Sequence, residues 1–488
     1  MNLYKILENI DILEFVNINK EETKNIEIKN ICDNTTNIKK LKDSLFVCIE
    51  GFNFDSHTIV KDFESFGVKF LVCNKKIETK IPCIIVKNTR KVLGEIASNF
   101  YDNPCKKLKI IGVIGTNGKT STTYIIKQLL DKQNVKTSLI GTSGVYINNK
   151  RIKETLTTPD PLLLNELFYK MFKAGSEVVV MEISAHAISL NKVDFLCCDA
   201  LIFSNFSQDH LDFFQTMENY KNTKFSFFNS KNCKNAIINI DDKAGSELYA
   251  NSNEKIPTFS FGIENDADII AKDIKLFLNK TNLTIKINES YKKIAFNLSC
   301  RFNVYNLLSA VLTLKVLDFS INLNHIKTLK PIKGRFNIIK LSKNKFIIID
   351  YAHTPESLKS LLQNVNKLFH GKIITLFGCP GNRDETKREI MGNIAYNYSD
   401  KIYITSDNPK YENPLIICNQ ILKGAKEKGK IVEDREKAIK KAIKNLKANE
   451  VLLIVGKGSE SYQDINNLKI PYSDFKVVYK CIKKLKKQ

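Results

Sequence analysis

Residues Gly115 to Thr123 read GTNGKTSTT, between the apolar run Ile110 to Ile114 and a helical pattern from Tyr124 to Leu130. A strand, a glycine turn and a helix start, in that order, place backbone N–H groups and a lysine around nucleotide phosphates. The pattern GxxxxGK[ST] is not met in full, because Val113 stands at the first glycine and a shorter GxxGKT remains. Gly115, Thr116, Asn117, Gly118, Lys119, Thr120 and Ser121 are therefore candidate ATP contacts. Lys119 would reach the β- and γ-phosphates, and the Thr120 hydroxyl would join a Mg²⁺ shell.

The rest of the chain is read against that loop. Up to Pro104, short β-type runs (SLFVCI, VKFLVC, CIIVK) alternate with weak helices, and Tyr101 to Pro104 reads as a linker. A second block holds strands at Glu177 to Ile183, Leu201 to Phe203 and Ala236 to Ile240, with a helix from Pro161 to Lys173 capped by Gly175. From about Pro331 a third block alternates strands Phe346 to Ile349, Lys372 to Phe377, Lys401 to Thr405 and Val451 to Val455 with helices such as Pro355 to Phe369. Such alternation predicts an α/β protein of parallel sheets with right-handed crossovers. The expected domains are 1–104, a central phosphate-loop domain 105–331 and a Rossmann-like domain 332–488.

Composition narrows the class. The chain has 488 residues, 43% hydrophobic and 26% charged, which supports several folded cores and no bilayer span. Its start carries acidic residues and no cleavable apolar stretch, so a cytoplasmic protein is expected. Twelve cysteines show neither CxxC pairs nor zinc spacing, and read as reduced core residues, with adjacent Cys197 and Cys198 in a buried segment. The net charge of +23 follows lysine enrichment along the whole length, with no arginine-rich or aromatic-interleaved patch. Anionic small-molecule substrates fit this charge, and a nucleic-acid partner is not expected. The end from Lys476 to Gln488 reads as a solvated helix face.

Polar residues follow the strands of the central block, where ligands of parallel sheets bind. VVVMEIS ends in Glu182, followed by Ser184 and His186, and a carboxylate beside a phosphate loop suits Mg²⁺. SNFSQDHLDFF leads into Asp209, His210 and Asp212. Alone, His210 reads as a capping or core histidine, whereas with Glu182 and the loop in one sheet it reads as a ligand.

GTNGKTSTT, TTPDP (Thr157 to Pro161), MEISAHA (Met181 to Ala187), SNFSQDHLDFF and DYAHTPESL (Asp350 to Leu358) together resemble the Mur ligases of bacterial cell-wall synthesis. Among them the chain is similar to the type that adds the third residue to UDP-N-acetylmuramoyl-L-alanyl-D-glutamate. The resemblance covers essentially the whole chain. It implies that ATP phosphorylates the substrate's glutamyl carboxylate and that the amine of a diamino acid attacks the acyl phosphate. It also implies a catalytic group of Lys119, Glu182, His210 and Lys224, the last carbamoylated, with Thr120, Glu182, His210 and Lys224 around Mg²⁺. Thr157, Thr158, Ser184, Lys192 and His57 would contact the UDP-muramoyl-dipeptide. Asn303, Arg335 and Asp350 would complete the ATP site, and the protein would work as a monomer. Without the resemblance, Lys224 is simply a lysine on a helix, and Asn303 marks a helix start.

The amine site is expected in the third block, from Arg383, Asp407, Asn408, Lys410, Gly456 and Glu460. An amino acid needs a cation for its carboxylate and acceptors for its ammonium, roles suited to Arg383 and Glu460. Four departures from the family pattern stand out: Ala185 for a second serine, Asn191-Lys192 for glutamine-arginine, Lys410 for the arginine of DNPR, and Ser459 for the histidine of GKGHE. Lysine retains the charge and loses the bidentate fork, so the diamino acid stays open among meso-diaminopimelate, L-lysine and L-ornithine. The first block resembles the uridine-binding domain through Asp43 to His57, with Asp33-Asn34-Thr35 where Asp-Ser-Arg is usual. The rival readings are another Mur step, a folylpolyglutamate synthase, a silent nucleotide-binding protein and a nucleic-acid-dependent ATPase.

Overall fold

The computed structural model describes residues 1–51, 54–153, 156–287, 290–342 and 344–485. Phe52 and Asn53 of the Asp43 to His57 motif, and the last three residues of the lysine-rich end, lie outside the described residues. The architecture is α/β, built on three large sheets and one two-stranded ribbon.

The first sheet has five strands, in the order Ile12–Val16, Cys83–Val86, Phe70–Cys73, Ser44–Val47 and Asn30–Cys32. Its first strand is antiparallel to its neighbour and the other pairs are parallel. Helix Thr89–Phe100 closes this unit, and Asp102 and Asn103 then turn through left-handed backbone (φ 62° and 51°) toward the central sheet.

Seven parallel strands form the middle of the second sheet, with Lys109–Ile114 between Val178–Glu182 and Ala200–Phe203. Val178, Val179, Val180 and Met181 are all fully buried, as expected of a parallel strand covered on both faces. The helix Arg301–Val316 is apolar nearly all round because Leu307, Leu308, Val311 and Leu312 enter the core with Ile111, Val113 and Ile202. The helix expected from Tyr124 begins earlier and runs Lys119–Asp131, so the second half of the glycine loop is itself helical.

The parallel core expected from the sequence is extended by antiparallel strands at both edges. Ile269–Phe277, Lys280–Ile287 and Ser290–Phe296 form an antiparallel wing, and a second antiparallel pair lies at the opposite edge. In Lys280–Ile287, Thr281, Leu283, Ile285 and Ile287 are buried while the residues between them are wet. That two-residue alternation marks a half-exposed antiparallel strand, and interspersed lysines hide it in the sequence.

The third sheet runs Asn337–Ser342, Lys345–Ile349, Glu450–Ile454, Lys372–Phe377, Lys401–Ile404 and Gly429–Ile431, parallel except at its first strand. The lysine-rich end is more than a solvated face. Helix Asp474–Leu485 buries Phe475, Val477 and Val478 against Ile439 and Ile443 and leaves its lysines wet. Ten of the twelve cysteines are buried and all are free, but Cys197 is exposed, because only Cys198 faces the core beneath the loop that precedes Ala200–Phe203.

No helix among the described residues is long and apolar enough to cross a membrane.

Candidate active site

Strand register builds the site. Glu182 pairs with Val113 and Phe203 with Ile114, so three strands release their next residues side by side. Gly115 leaves its strand so close to the neighbouring one that a Cβ there would lie 1.9 Å from Ser204 Oγ. Ser204 and Asn205 clamp the loop: the Ser204 hydroxyl donates to Asn117 O at 2.7 Å, and the Asn117 and Thr116 N–H groups donate to Asn205 Oδ1 and O at 2.8 and 3.0 Å. Sequence reasoning quoted this segment for Asp209 and His210 and missed its role as the loop's floor.

Within the next helix, the Thr122 N–H bonds back to Gly118 O at 2.9 Å. The amides of Lys119, Thr120 and Ser121 precede it and form a first turn suited to an anion. Lys119 Nζ donates to the carbonyls of Gly115 and Thr116 at 2.8 and 3.0 Å. Burial lowers its pKa from the ordinary lysine value, against the pull of Glu182 and Asp209.

Glu182 is 1% exposed and fully engaged. Oε1 accepts from the Thr120 hydroxyl at 3.0 Å and the Thr142 N–H at 2.9 Å, and Oε2 accepts from the Thr142 hydroxyl at 3.1 Å. The Thr142 and Thr157 hydroxyls lie 3.0 Å apart. Thr158 donates to Glu182 O and accepts from Ser184 N–H, both at 3.0 Å, while Ser184 Oγ caps the helix Ala185–Ser189. One hydrogen-bonded chain thus runs from the phosphate loop to the threonine pair, and Thr142 is its unforeseen link.

The third block reaches the same point. Arg335 Nη2 donates to Thr120 Oγ1 at 3.1 Å, and its guanidinium lies 4.1 Å from the centre of the Tyr351 ring. Asp350 accepts from the Phe336 and Ala352 N–H groups at 2.7 and 2.8 Å, which fixes the turn carrying Arg335. Asn303 bonds Ser299 O and accepts from Asn306, which in turn accepts from the Thr122 hydroxyl at 3.3 Å. Both asparagines therefore sit behind the phosphate-loop helix.

His210 adopts left-handed backbone (φ 56°) and sets its ring edge-on to His186 at 4.7 Å. Burial drives its pKa down to about 3 against the opposing pull of Asp209, whose Oδ2 lies 3.4 Å away. Burial also lowers His186 and His353, so all three imidazoles are neutral at neutral pH. Lys224, in helix Met217–Phe225, is 1% exposed and has its Nζ 4.4 Å from the Tyr220 ring centre. No carboxylate pairs with it among the described residues, and burial, then the charge of Lys119, holds its pKa well below the ordinary lysine value.

The amine-side residues gather beyond the third sheet. Lys457, fully buried, donates to Asn408 Oδ1 at 2.8 Å and Glu460 Oε2 at 2.7 Å, with Asp407 3.9 Å away. Asn408 Nδ2 also donates to Glu460, at 3.0 Å, and a Cβ on Gly456 would lie 2.7 Å from Asp407 Oδ2. Lys457 was missed by the sequence reading, although it lies inside the quoted GKGSE. Lys410 sits at φ 53° and Arg383 reaches back to Asp212 at 3.2 Å; burial, then the charge of Arg383, lowers the Lys410 pKa. Two cations thus stand near an acidic, amide-lined group.

Two expected residues lie apart from this cluster. Lys192 pairs with Asp160 at 2.5 Å, beside a cleft of about 400 Å³ lined by Asp33, Asn34, Thr36, Lys40, Tyr101 and Asp160. His57 is buried, with Nδ1 2.5 Å from Asp55 Oδ1 and Nε2 accepting from the Asn74 N–H at 3.4 Å, all partners inside the first unit.

Comparison with known proteins decides what kind of crevice this is. Residues 113–314 match the Mur ligase middle domain and residues 334–458 the Mur ligase glutamate ligase domain. The chain is 36% identical over 479 residues to the UDP-N-acetylmuramoyl-L-alanyl-D-glutamate–2,6-diaminopimelate ligase of Caldanaerobacter subterraneus subsp. tengcongensis, covering 96% of this chain and 98% of that one. The chain belongs to the Mur ligase family. It is 38% identical over 472 residues to a Clostridium acetobutylicum ligase of the same name, covering 94% and 96% of the two chains. As a Mur ligase it is an ATP-dependent, amide-bond-forming enzyme. Its fold superposes on a solved ligase of that name with a TM-score of 0.71 at 22% identity, over 100% of this chain and 99% of the other. A Mycobacterium tuberculosis folylpolyglutamate synthase aligns with 75% of this Mur ligase and 92% of its own length, at a TM-score of 0.62 and 13% identity.

Proposed function

We propose that this Mur ligase joins 2,6-diaminopimelate to the D-glutamyl carboxylate of UDP-N-acetylmuramoyl-L-alanyl-D-glutamate in peptidoglycan synthesis. The observation that carries this reading is the meeting of Glu182 and Arg335 on Thr120, next to Lys119, because it joins two blocks at one phosphate-binding loop. Residues 1–104 then serve the UDP end, 105–331 ATP and the acceptor carboxylate, and 332–488 the amino acid. A carboxylate oxygen attacks the γ-phosphorus, ADP leaves, and an acyl phosphate forms; the amine then attacks its carbonyl carbon, and phosphate and a proton depart. Lys119, the first-turn amides and Arg335 hold charge that moves from the ATP bridge oxygen onto the leaving groups.

The Thr120 hydroxyl and the Glu182 carboxylate, in contact at 3.0 Å, are oxygen donors suited to Mg²⁺, and His210 and a carbamate on Lys224 would complete the residues that hold it. Magnesium, when bound, screens the β- and γ-phosphates. Carbamoylation requires a neutral amine, which adds to CO₂ and loses one proton. The unpaired, desolvated Lys224 supports that step, and the product anion would face Lys119.

Arg383 and Lys410 offer two cations for the two carboxylates of diaminopimelate, whereas L-lysine would bring its terminal ammonium against Lys410. We assign the enzyme to the cytoplasm, where ATP and UDP-sugars are made. We treat it as a monomer, since Arg335–Thr120 and Arg383–Asp212 assemble the crevice within one chain.

The test supplies ATP, Mg²⁺ and UDP-N-acetylmuramoyl-L-alanyl-D-glutamate with diaminopimelate, L-lysine or L-ornithine in separate reactions. Phosphate release is expected with diaminopimelate, preference for L-lysine would move the specificity, and silence with all three would refute the ligase reading.

A further inference from the structure

One face of the first sheet gathers sulfur. Cys48 follows Ser44–Val47, Cys73 ends Phe70–Cys73 and Cys83 opens Cys83–Val86; all three are at most 1% exposed and pack in one cluster with Phe46, Phe63 and Leu71. Parallel register places Cys48 beside Cys73, with the Cys48 N–H bonded to Val72 O. His57, from the turn Ser56–Ile59, enters the same cluster, and its ring nitrogen and the Cys48 and Cys73 sulfurs all lie within 4.8 Å of one another.

Reduced core cysteines need no histidine. Here the imidazole is buried, and Asp55 Oδ1 stands 2.5 Å behind Nδ1. A proton held on Nδ1 by that carboxylate makes Nε2 the acceptor nitrogen, the arrangement that orients histidine toward a metal. The Asn74 N–H donates to Nε2 at 3.4 Å, which agrees with this tautomer and is the contact a metal would replace.

We propose that Cys48, His57 and Cys73 form a structural Zn²⁺ site in the first unit, with the Cys83 thiol, which shares their cluster but stands outside the 4.8 Å group, swinging in as the fourth ligand on binding. Tetrahedral zinc with bonds of roughly 2.0–2.3 Å sets its ligand atoms roughly 3.5–3.8 Å apart, so the three grouped donors tighten by up to about 1 Å on binding and Cys83 moves further. Binding displaces one proton from each thiol: Zn²⁺ and three thiols give a thiolate centre of net charge −1 and release three protons. Lys75, 2.6 Å from Asp55, is the nearby countercharge. Because the donors are buried, the metal enters as the chain folds. His57 then serves the metal and ties the Asp55 turn to two strand ends.

The sequence hides the site because its ligands are spread over Cys48, His57, Cys73 and Cys83 on separate elements.

The test uses the full chain, produced with zinc and dialysed into metal-free buffer. Elemental analysis should find about one zinc per chain, falling below about 0.1 in Cys48→Ser and His57→Gln while Cys197→Ser stays unchanged. As the first two variants could misfold, the wild-type chain is also stripped in denaturant and refolded with Co²⁺. A thiolate-to-cobalt charge-transfer band is expected, which oxygen ligands at the phosphate loop cannot give. A natively folded wild-type chain with neither zinc nor that band overturns the proposal, as does zinc undiminished in both ligand variants.

Discussion

Lys224 and Lys457 are both buried lysines, 1% and 0% exposed, and their surroundings are opposite. Lys457 is ringed by Asn408, Glu460 and Asp407, while Lys224 meets the face of Tyr220 and pairs with no carboxylate among the described residues. Burial without an anion disfavours the ammonium of Lys224, whereas the Lys457 side chain has an anion and an amide oxygen beside it. The difference separates a lysine available for chemistry from one that shapes a pocket.

The largest expected effect breaks the comparison most sharply. Lys224→Ala should lower kcat by about 10²–10³-fold, the scale of losing one preorganised charge. Short carboxylates should restore part of the rate in the phosphate-release assay, and full activity in the untreated variant would remove the carbamate role. Next, Lys457→Met should destabilise the third unit by roughly 3–5 kcal/mol in urea unfolding, because Glu460 loses its buried partner. Lys224→Met should leave the midpoint equal or higher; equal losses in both would end the distinction.

A third effect follows from the histidines. His186, His210 and His353 all have folded pKa values below their ordinary 6.5, in each case chiefly through burial. Below pH 6.5 the unfolded chain takes up protons that the folded chain refuses, so stability falls as pH drops toward about 3. Tm should decline between pH 7 and 5, and His210→Asn should flatten that slope. The smallest effect is Lys410→Arg, where a bidentate fork should lower the KM for diaminopimelate roughly two- to ten-fold.

The two lysines also mark how far the sequence could be read. Contiguous signals survived best: the loop, Glu182 and His210 all follow apolar strands, and in parallel sheets strand ends meet at one crevice. The family resemblance singled out Lys224, since nothing local distinguishes it from other helical lysines. Lys457, Thr142 and Asn205 escaped because their importance lies in partners 40 to 88 residues away, which no local period encodes. The antiparallel wing escaped for the converse reason, as lysines on its wet face broke the apolar runs used to find strands.

The most direct measurement follows oxygen through the reaction. The D-glutamyl carboxylate of UDP-N-acetylmuramoyl-L-alanyl-D-glutamate is labelled with oxygen-18, and the phosphate released with ATP and diaminopimelate is weighed by mass spectrometry. An acyl phosphate at the Lys119 loop predicts one labelled oxygen in each phosphate released during amide formation, and unlabelled phosphate accompanying amide product would contradict it.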